Sequence, residues 1–83
     1  MPILSNGKNF EWHERVEVRI VVLSAPGQQR TETRWGGNFV DAVRYVAELP
    51  AHQQERATIV GNADFTWDEI REITQRSDFP FLP

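Results

Sequence analysis

The chain contains no cysteine, so a disulfide framework, a cysteine-ligated metal site and a thiol nucleophile are all excluded. It has no run of about 18 apolar residues that could form a membrane-spanning helix. Its first residues lack the basic stretch followed by an apolar one that indicates a signal peptide. Because such a chain folds by core packing alone, we expect a cytoplasmic protein with no membrane segment.

The sequence also lacks an excess of basic residues. Nine Lys and Arg stand against twelve Asp and Glu, which gives a formal net charge of −3 and a pI of about 5.3. That balance lacks the basic footprint typical of nucleic-acid-binding proteins. The charge is unevenly distributed, because residues 1–60 are neutral overall and residues 61–83 carry the whole negative charge.

What is present fits one small globular domain. The 83 residues are 40% hydrophobic and 25% charged, which is ordinary for a folded soluble domain. A chain of this length buries about 63% of its unfolded surface, enough for one two-layer core but not for a deep substrate cleft as well. We expect a loose lead-in over residues 1–9, a single α+β domain over 10–78 and an apolar tail over 79–83.

Two runs of alternating residues predict a β-hairpin. From Trp12 to Val22 the even positions are apolar, apart from Glu14, and the odd positions are mostly polar, so one strand face should be buried. A second alternating run covers residues 30–35. The turn signal Pro26-Gly27 lies between the runs, because Pro fixes φ and Gly accepts a positive φ. We therefore expect the two runs to pair as antiparallel strands.

The charges of the two runs predict their register. A four-residue loop over Ser24–Gly27 places Arg19 opposite Glu32 and Glu17 opposite Arg34. A tighter loop at Pro26-Gly27 would place Arg19 opposite Arg34, and like charges directly opposite each other are unfavourable. We expect the four-residue loop and, with it, one solvent-exposed sheet face of alternating charge. The residues of that face are Arg15, Glu17, Arg19, Arg30, Glu32 and Arg34.

Helices and a third strand are predicted downstream of the hairpin. Asn38 is a suitable N-cap for a helix whose apolar stripe covers Phe39–Leu49. Pro50 either ends this helix or begins a short second one. Residues 57–60 have the composition of a short buried strand, and Thr66–Glu69 matches a capping box at the start of a last helix. The order β-β-α-β-α defines a small α+β domain, with an antiparallel hairpin and a third strand packed on helices.

The two histidines do not predict a metal site or an acid–base pair. His13 lies between Glu11 and Glu14, and His52 lies near Glu55, but neither has the spacing of a metal-ligand motif. A solvated histidine explains both positions better than a ligand does. We therefore expect no metal and no cofactor, and a small acid–base or metal enzyme that uses His13 with Glu11 or Glu14 is the third functional hypothesis.

Other catalytic or nucleotide-binding signals are equally weak. Ser24 and Ser77 lack the sequence context of an activated nucleophile. Gly36-Gly37-Asn38 precedes a predicted helix, where backbone N–H groups can hold an anion, but no phosphate-binding motif is present. A turn that needs glycine explains these residues better. We expect no catalytic residue, so the protein should not be an enzyme.

The first functional hypothesis is a non-enzymatic protein-binding module, such as an inhibitor, adaptor or accessory subunit. Apolar residues at a chain end either dock on the core of their own domain or anchor another chain. A homodimer could form through the third strand or through the exposed edge of the hairpin. Candidate partner-binding residues are the arginines of the charged face and the apolar tail, namely Arg15, Arg19, Arg30, Arg34, Phe79, Phe81 and Leu82.

The alternative hypothesis is a nucleic-acid-binding accessory protein that uses the arginine-bearing sheet face together with Lys8. Arginines near Trp12 and Trp35 resemble a surface for single-stranded nucleic acid. Glu17 and Glu32 lie among the arginines and can neutralise them, and the tryptophans fall on the predicted buried face. Another protein is therefore the first candidate partner and a nucleic acid the second.

Overall fold

The computed structural model describes residues 3–76 and residue 79. Within them a four-stranded sheet has the order β2-β1-β3-β4, and each neighbouring pair is antiparallel. The predicted α+β class is confirmed. The structure adds a short second helix, which Pro50 left open, and a two-residue fourth strand. The elements are β1 (Arg15–Ala25), β2 (Gln28–Asn38), α1 (Phe39–Ala47), α2 (Ala51–Gln54), β3 (Ala57–Val60), β4 (Asp64–Phe65) and α3 (Trp67–Thr74).

The core lies between one face of the sheet and the helices α1 and α3. Val18 of β1 faces Ile59 of β3, and both are fully buried under α1. Every buried side chain in the described part of the chain is apolar, so the fold is held mainly by the hydrophobic effect. The core residues are Leu4, Phe10, Val16, Val18, Ile20, Phe39, Ala42, Val43, Val46, Ala57, Ile59, Phe65, Ile70, Ile73 and Phe79.

The hairpin turn is tighter than the sequence predicts. Pro26 and Gly27 form it, and Ala25 lies opposite Gln28. Gly27 has a φ of +76°, a left-handed conformation that costs glycine little because it has no Cβ. The four-residue loop is therefore wrong.

Two register shifts in the hairpin replace the predicted charge pairing. One lies close to the turn, and the other lies between Val18 and Arg19. The shift close to the turn places Arg19 opposite Thr33, so the contact of Arg19 with Arg34 that argued against the tight turn does not arise. The predicted pairing of Arg19 with Glu32 is wrong for the same reason.

The N-terminal segment is anchored on α3, in contrast to the expected loose lead-in. Lys8 Nζ lies 2.8 Å from a Glu69 carboxylate oxygen. The backbone N–H and the hydroxyl of Ser5 donate to the Glu72 carboxylate at 2.8 and 2.7 Å. Polar side chains of residues 3–9 thus match the acidic side of a helix that is distant in sequence.

None of the helices in residues 3–76 has the length and hydropathy needed to cross a membrane.

Candidate functional site

Two of the predicted partner-binding residues, Arg15 and Arg19, lie together with Glu17 on the face of the sheet that points away from the core. Arg15, Glu17 and Arg19 are exposed there and alternate along β1 with buried apolar residues. Arg19 Nη2 lies 3.0 Å from a Glu17 carboxylate oxygen, and both side chains remain almost half exposed. We call this surface the outer face. Exposed ion pairs of this kind contribute little to stability, so these charges are available to a partner.

A shallow concavity of about 460 Å³ lies on the outer face. Glu17 has Gly36 of β2 on one side and Val60 of β3 on the other. Gly36 has no side chain to fill the space, and a Cβ there would meet only one atom, the Val16 carbonyl oxygen at 3.8 Å. The concavity therefore presents charges of both signs beside the backbone of Gly36, which suits a polar or charged side chain of another protein. It is lined by Arg15, Val16, Glu17, Arg19, Gly36, Gly37 and Val60.

The other two predicted arginines do not lie on the outer face. Arg30 is opposite Val22 and Glu32 is opposite Ile20, so both point to the core side of the hairpin. Glu32 accepts hydrogen bonds from Arg30 Nη2 at 2.6 Å and from Arg34 Nε at 3.0 Å. The predicted single face of six charged residues is therefore wrong, because the register shifts divide it in two.

Strand β2 is an edge strand along all eleven of its residues. The backbone N–H of Val21 in β1 donates to the Arg56 carbonyl oxygen, on the β3 side, at 3.2 Å. Since backbone groups alternate along a strand, the even residues of β1 bond to β2, and their partners Arg30 and Glu32 bond back to β1. The backbone groups that point away from the sheet belong to Gln29, Thr31 and Thr33. We call residues 29–33 the open edge.

The third strand has a shorter open edge than β2. β3 pairs with β1 on one side, and its residues Ile59 and Val60 pair with β4 on the other. A homodimer through the third strand, one of the two modes expected from the sequence, would have only Ala57 and Thr58 free of a β4 partner. At the far side of the sheet β4 has only two residues, so β2 provides the longest edge for another strand in the part of the chain described.

Glu14, the polar exception in the alternating run, has a structural role. Its carboxylate accepts hydrogen bonds from the backbone N–H groups of Asn62 at 3.0 Å and Glu11 at 3.3 Å. It thereby ties together the two loops that flank the sheet. A Cβ on Gly61 would come within 2.6 Å of this carboxylate, which explains the glycine. Within residues 3–76 and 79, no group of three or more acidic or histidine side chains could hold a metal ion.

The glycines before α1 do not form an anion site. The first two amides of the helix, those of Phe39 and Val40, donate to the carbonyl oxygens of Glu14 at 2.9 Å and Trp12 at 3.0 Å. These donors are therefore already used. A Cβ on Gly37 would approach the Trp35 ring to 2.6 Å, so this glycine is required by packing.

Glu69 anchors the N-terminal segment and caps α3. Its carboxylate accepts hydrogen bonds from the Thr66 backbone N–H at 3.0 Å and from Asn6 Nδ2 at 2.8 Å, in addition to its ion pair with Lys8. The predicted capping box is confirmed. Partial burial by itself would raise the pKa of Glu69, but the hydrogen bonds from Lys8, Thr66 and Asn6 outweigh it and lower the pKa to about 2.

The apolar tail enters the core at its first residue. Phe79 is 2% exposed, and its ring stacks on Trp12 with the centroids 5.8 Å apart. Phe79 therefore docks on the core of its own domain, which is one of the two roles considered for the tail. Phe81 and Leu82 lie outside the described residues.

No known protein family, curated protein or solved structure matches this chain. The outer face and the open edge are therefore the features from which a function can be argued.

Proposed function

We propose that this protein is a non-enzymatic binding module that acts through protein–protein contact, as an inhibitor, an adaptor or an accessory subunit. The open edge carries the proposal. Backbone groups of Gln29, Thr31 and Thr33 point away from the sheet, and an edge of this kind accepts an extended strand from another chain. Main-chain hydrogen bonds then supply affinity, and the side chains beside them supply specificity.

The outer face supports the same proposal because it lies beside the open edge. Thr33 is the direct partner of Arg19, and Thr31 is the partner of Val21. A strand added to β2 would therefore bring its own side chains close to the charges of the outer face. Arginine is common at protein interfaces because its planar group forms paired hydrogen bonds with carboxylates. We infer a cytoplasmic location, since the chain contains no disulfide.

The nucleic-acid alternative has weaker support. Trp35 stacks on Tyr45 of α1 at 5.8 Å, on the core side of the sheet, opposite the outer face that carries Arg15 and Arg19. Arg19, Arg30 and Arg34 each contact a carboxylate within their own strand. A surface for single-stranded nucleic acid combines unneutralised cations with accessible aromatic rings, whereas here the arginines are paired with carboxylates and Trp35 is stacked on Tyr45.

A proline substitution in the open edge tests the proposal. The Thr31 N–H points away from β1, so Thr31→Pro blocks strand addition without removing a bond of the β1–β2 ladder. We expect immobilised Thr31→Pro to lose the proteins that the wild-type chain captures, while its circular dichroism spectrum stays unchanged. Thr31→Val, which keeps the N–H, is the matched control and should still capture them.

Undiminished capture by a folded Thr31→Pro variant would contradict the proposal. The alternative would gain support if the chain bound a single-stranded oligonucleotide with an affinity that fell steeply with salt and was lost in Arg19→Glu.

A further inference from the structure

We propose that the strand added at the open edge is the β2 strand of a second copy of this chain. The two copies pair antiparallel about a two-fold axis that passes through Thr31. The inference rests on the proposed function, because it fills the same edge with a named occupant. It joins the two sheets into one continuous sheet across the β2 strands.

The backbone limits where the axis can lie within the open edge. An axis between two residues would place an outward-pointing amide of one copy opposite an inward-pointing amide of the other, so the axis must pass through a residue. An axis through Thr33 would place Thr31 opposite Trp35 of the second copy. Trp35 faces Val18, an even residue of β1, so its backbone groups are directed at β1 and cannot bond to Thr31 of the second copy. The axis through Thr33 is therefore excluded. An axis through Gln29 would require pairing beyond the turn, where β2 has ended.

The charges select one of the remaining axes. An axis through Arg30 would place the Arg30 side chains of the two copies opposite each other. An axis through Glu32 would likewise place the two Glu32 carboxylates opposite each other. Both arrangements set like charges directly against each other. The axis through Thr31 instead places Arg30 of each copy opposite Glu32 of the other, and this favourable contact occurs twice by symmetry. It is the one axis through the open edge that satisfies both the backbone and the charges.

The same axis also uses every outward-pointing backbone group of the open edge. Thr31 faces Thr31 of the second copy, and Gln29 faces Thr33 in both directions. Each of these facing pairs exchanges N–H···O bonds both ways, whereas Arg30 and Glu32 fall in the pairs between them, where side chains approach most closely. Charged residues on an edge strand usually prevent self-pairing. Here their order along the strand makes the edge complementary to itself.

Charge reversal provides the test. Arg30→Glu and Glu32→Arg each place like charges across the axis, so each variant alone should self-associate about tenfold more weakly or worse than wild type. An equimolar mixture of the two variants should form a dimer again, because every facing charge pair in the mixed dimer is opposite in sign. Association is measured by sedimentation velocity on the full-length chains, with circular dichroism to confirm folding.

Arg71→Glu is the matched control. It makes the same charge change and breaks an exposed ion pair, with Asp68, but Arg71 lies on α3 and not on the sheet. We expect it to dimerise as the wild-type chain does. Failure of the mixed variants to associate more strongly than each variant alone would overturn the Thr31 axis.

The inference and the proposed function can fail separately. A wild-type chain that stays monomeric at every concentration would overturn the dimer, but the proposed function would stand if Thr31→Pro still abolished capture of another protein. If a folded Thr31→Pro variant both dimerised and captured partners as the wild-type chain does, the open edge would not be the binding surface and both would fall.

Discussion

The contacts of Glu69 predict a stability that depends on pH. The substitution Glu69→Gln removes the charge but keeps the size of the side chain and an oxygen that can accept from the Thr66 backbone N–H. It removes the attraction to Lys8, whose Nζ lies 2.8 Å from the carboxylate, and the second acceptor oxygen, which takes a hydrogen bond from Asn6 Nδ2. The part of its effect that depends on pH reports the charge of Glu69, because the amide of Gln does not titrate.

The magnitude follows from the pKa of Glu69. A fall from 4.5 to about 2 corresponds to at most about 3 kcal/mol of unfolding free energy. The Lys8 side chain is 32% exposed, so solvent screening reduces this to about 1–2 kcal/mol. Because the folded-state pKa lies below the unfolded-state value, the stabilisation is complete above pH 4.5 and is lost as the pH falls towards 2. Hydrogen bonds from Ser5 lower the pKa of Glu72 as well, so its contribution has the same sign.

Urea unfolding at neutral and acidic pH, followed by tryptophan fluorescence, measures the effect. We expect Glu69→Gln to cost about 1–2 kcal/mol at pH 7 and clearly less near pH 3. Glu48→Gln, at an exposed position on the far end of α1, should leave stability unchanged at both pH values. An equal loss of stability at both pH values would refute the reasoning, because it would show that the charge of Glu69 does not act.

Two further predictions concern packing. Phe79→Ala should lower the unfolding free energy by about 3 kcal/mol, because Phe79 is 2% exposed and stacks on Trp12; a loss below about 1 kcal/mol in urea unfolding would contradict its place in the core. Gly61→Ala should cost about 1–3 kcal/mol, because its Cβ would lie 2.6 Å from the Glu14 carboxylate. Gly36→Ala, whose Cβ meets only one atom at 3.8 Å, should change the melting temperature little, and an equal loss in both variants would contradict the steric argument.

Local patterns in the sequence were sufficient to predict several elements of the fold. The alternation up to Val22 predicts the buried face of β1, because side chains of a strand point to opposite sides in turn. The capping box at Thr66 predicts the start of α3, because its two hydrogen bonds join residues only three apart. Both signals depend on neighbours in the chain, so both can be read before the fold is known.

Features that depend on distant residues were not predictable in the same way. The bonds between Ser5 and Glu72 form only once α3 has packed beside the N-terminal segment. The two residues of β4 are too few to show any alternation. The grouping of Arg30 with Glu32 and Arg34, apart from Arg19, depends on register, and a shift by one residue moves a side chain to the other face of the sheet. The candidate site could thus be predicted by residue type but not by arrangement.

Amide hydrogen exchange along β2 tests most directly whether the open edge holds a second copy of the chain. In dilute solution we expect the amides of Gln29, Thr31 and Thr33 to exchange fast, since they point away from the sheet, and those of Arg30 and Glu32 to be protected by β1. At concentrations where the chain associates, the three outward amides should become protected as well. If they exchange equally fast at both concentrations while the chain associates, the dimer does not form at the open edge.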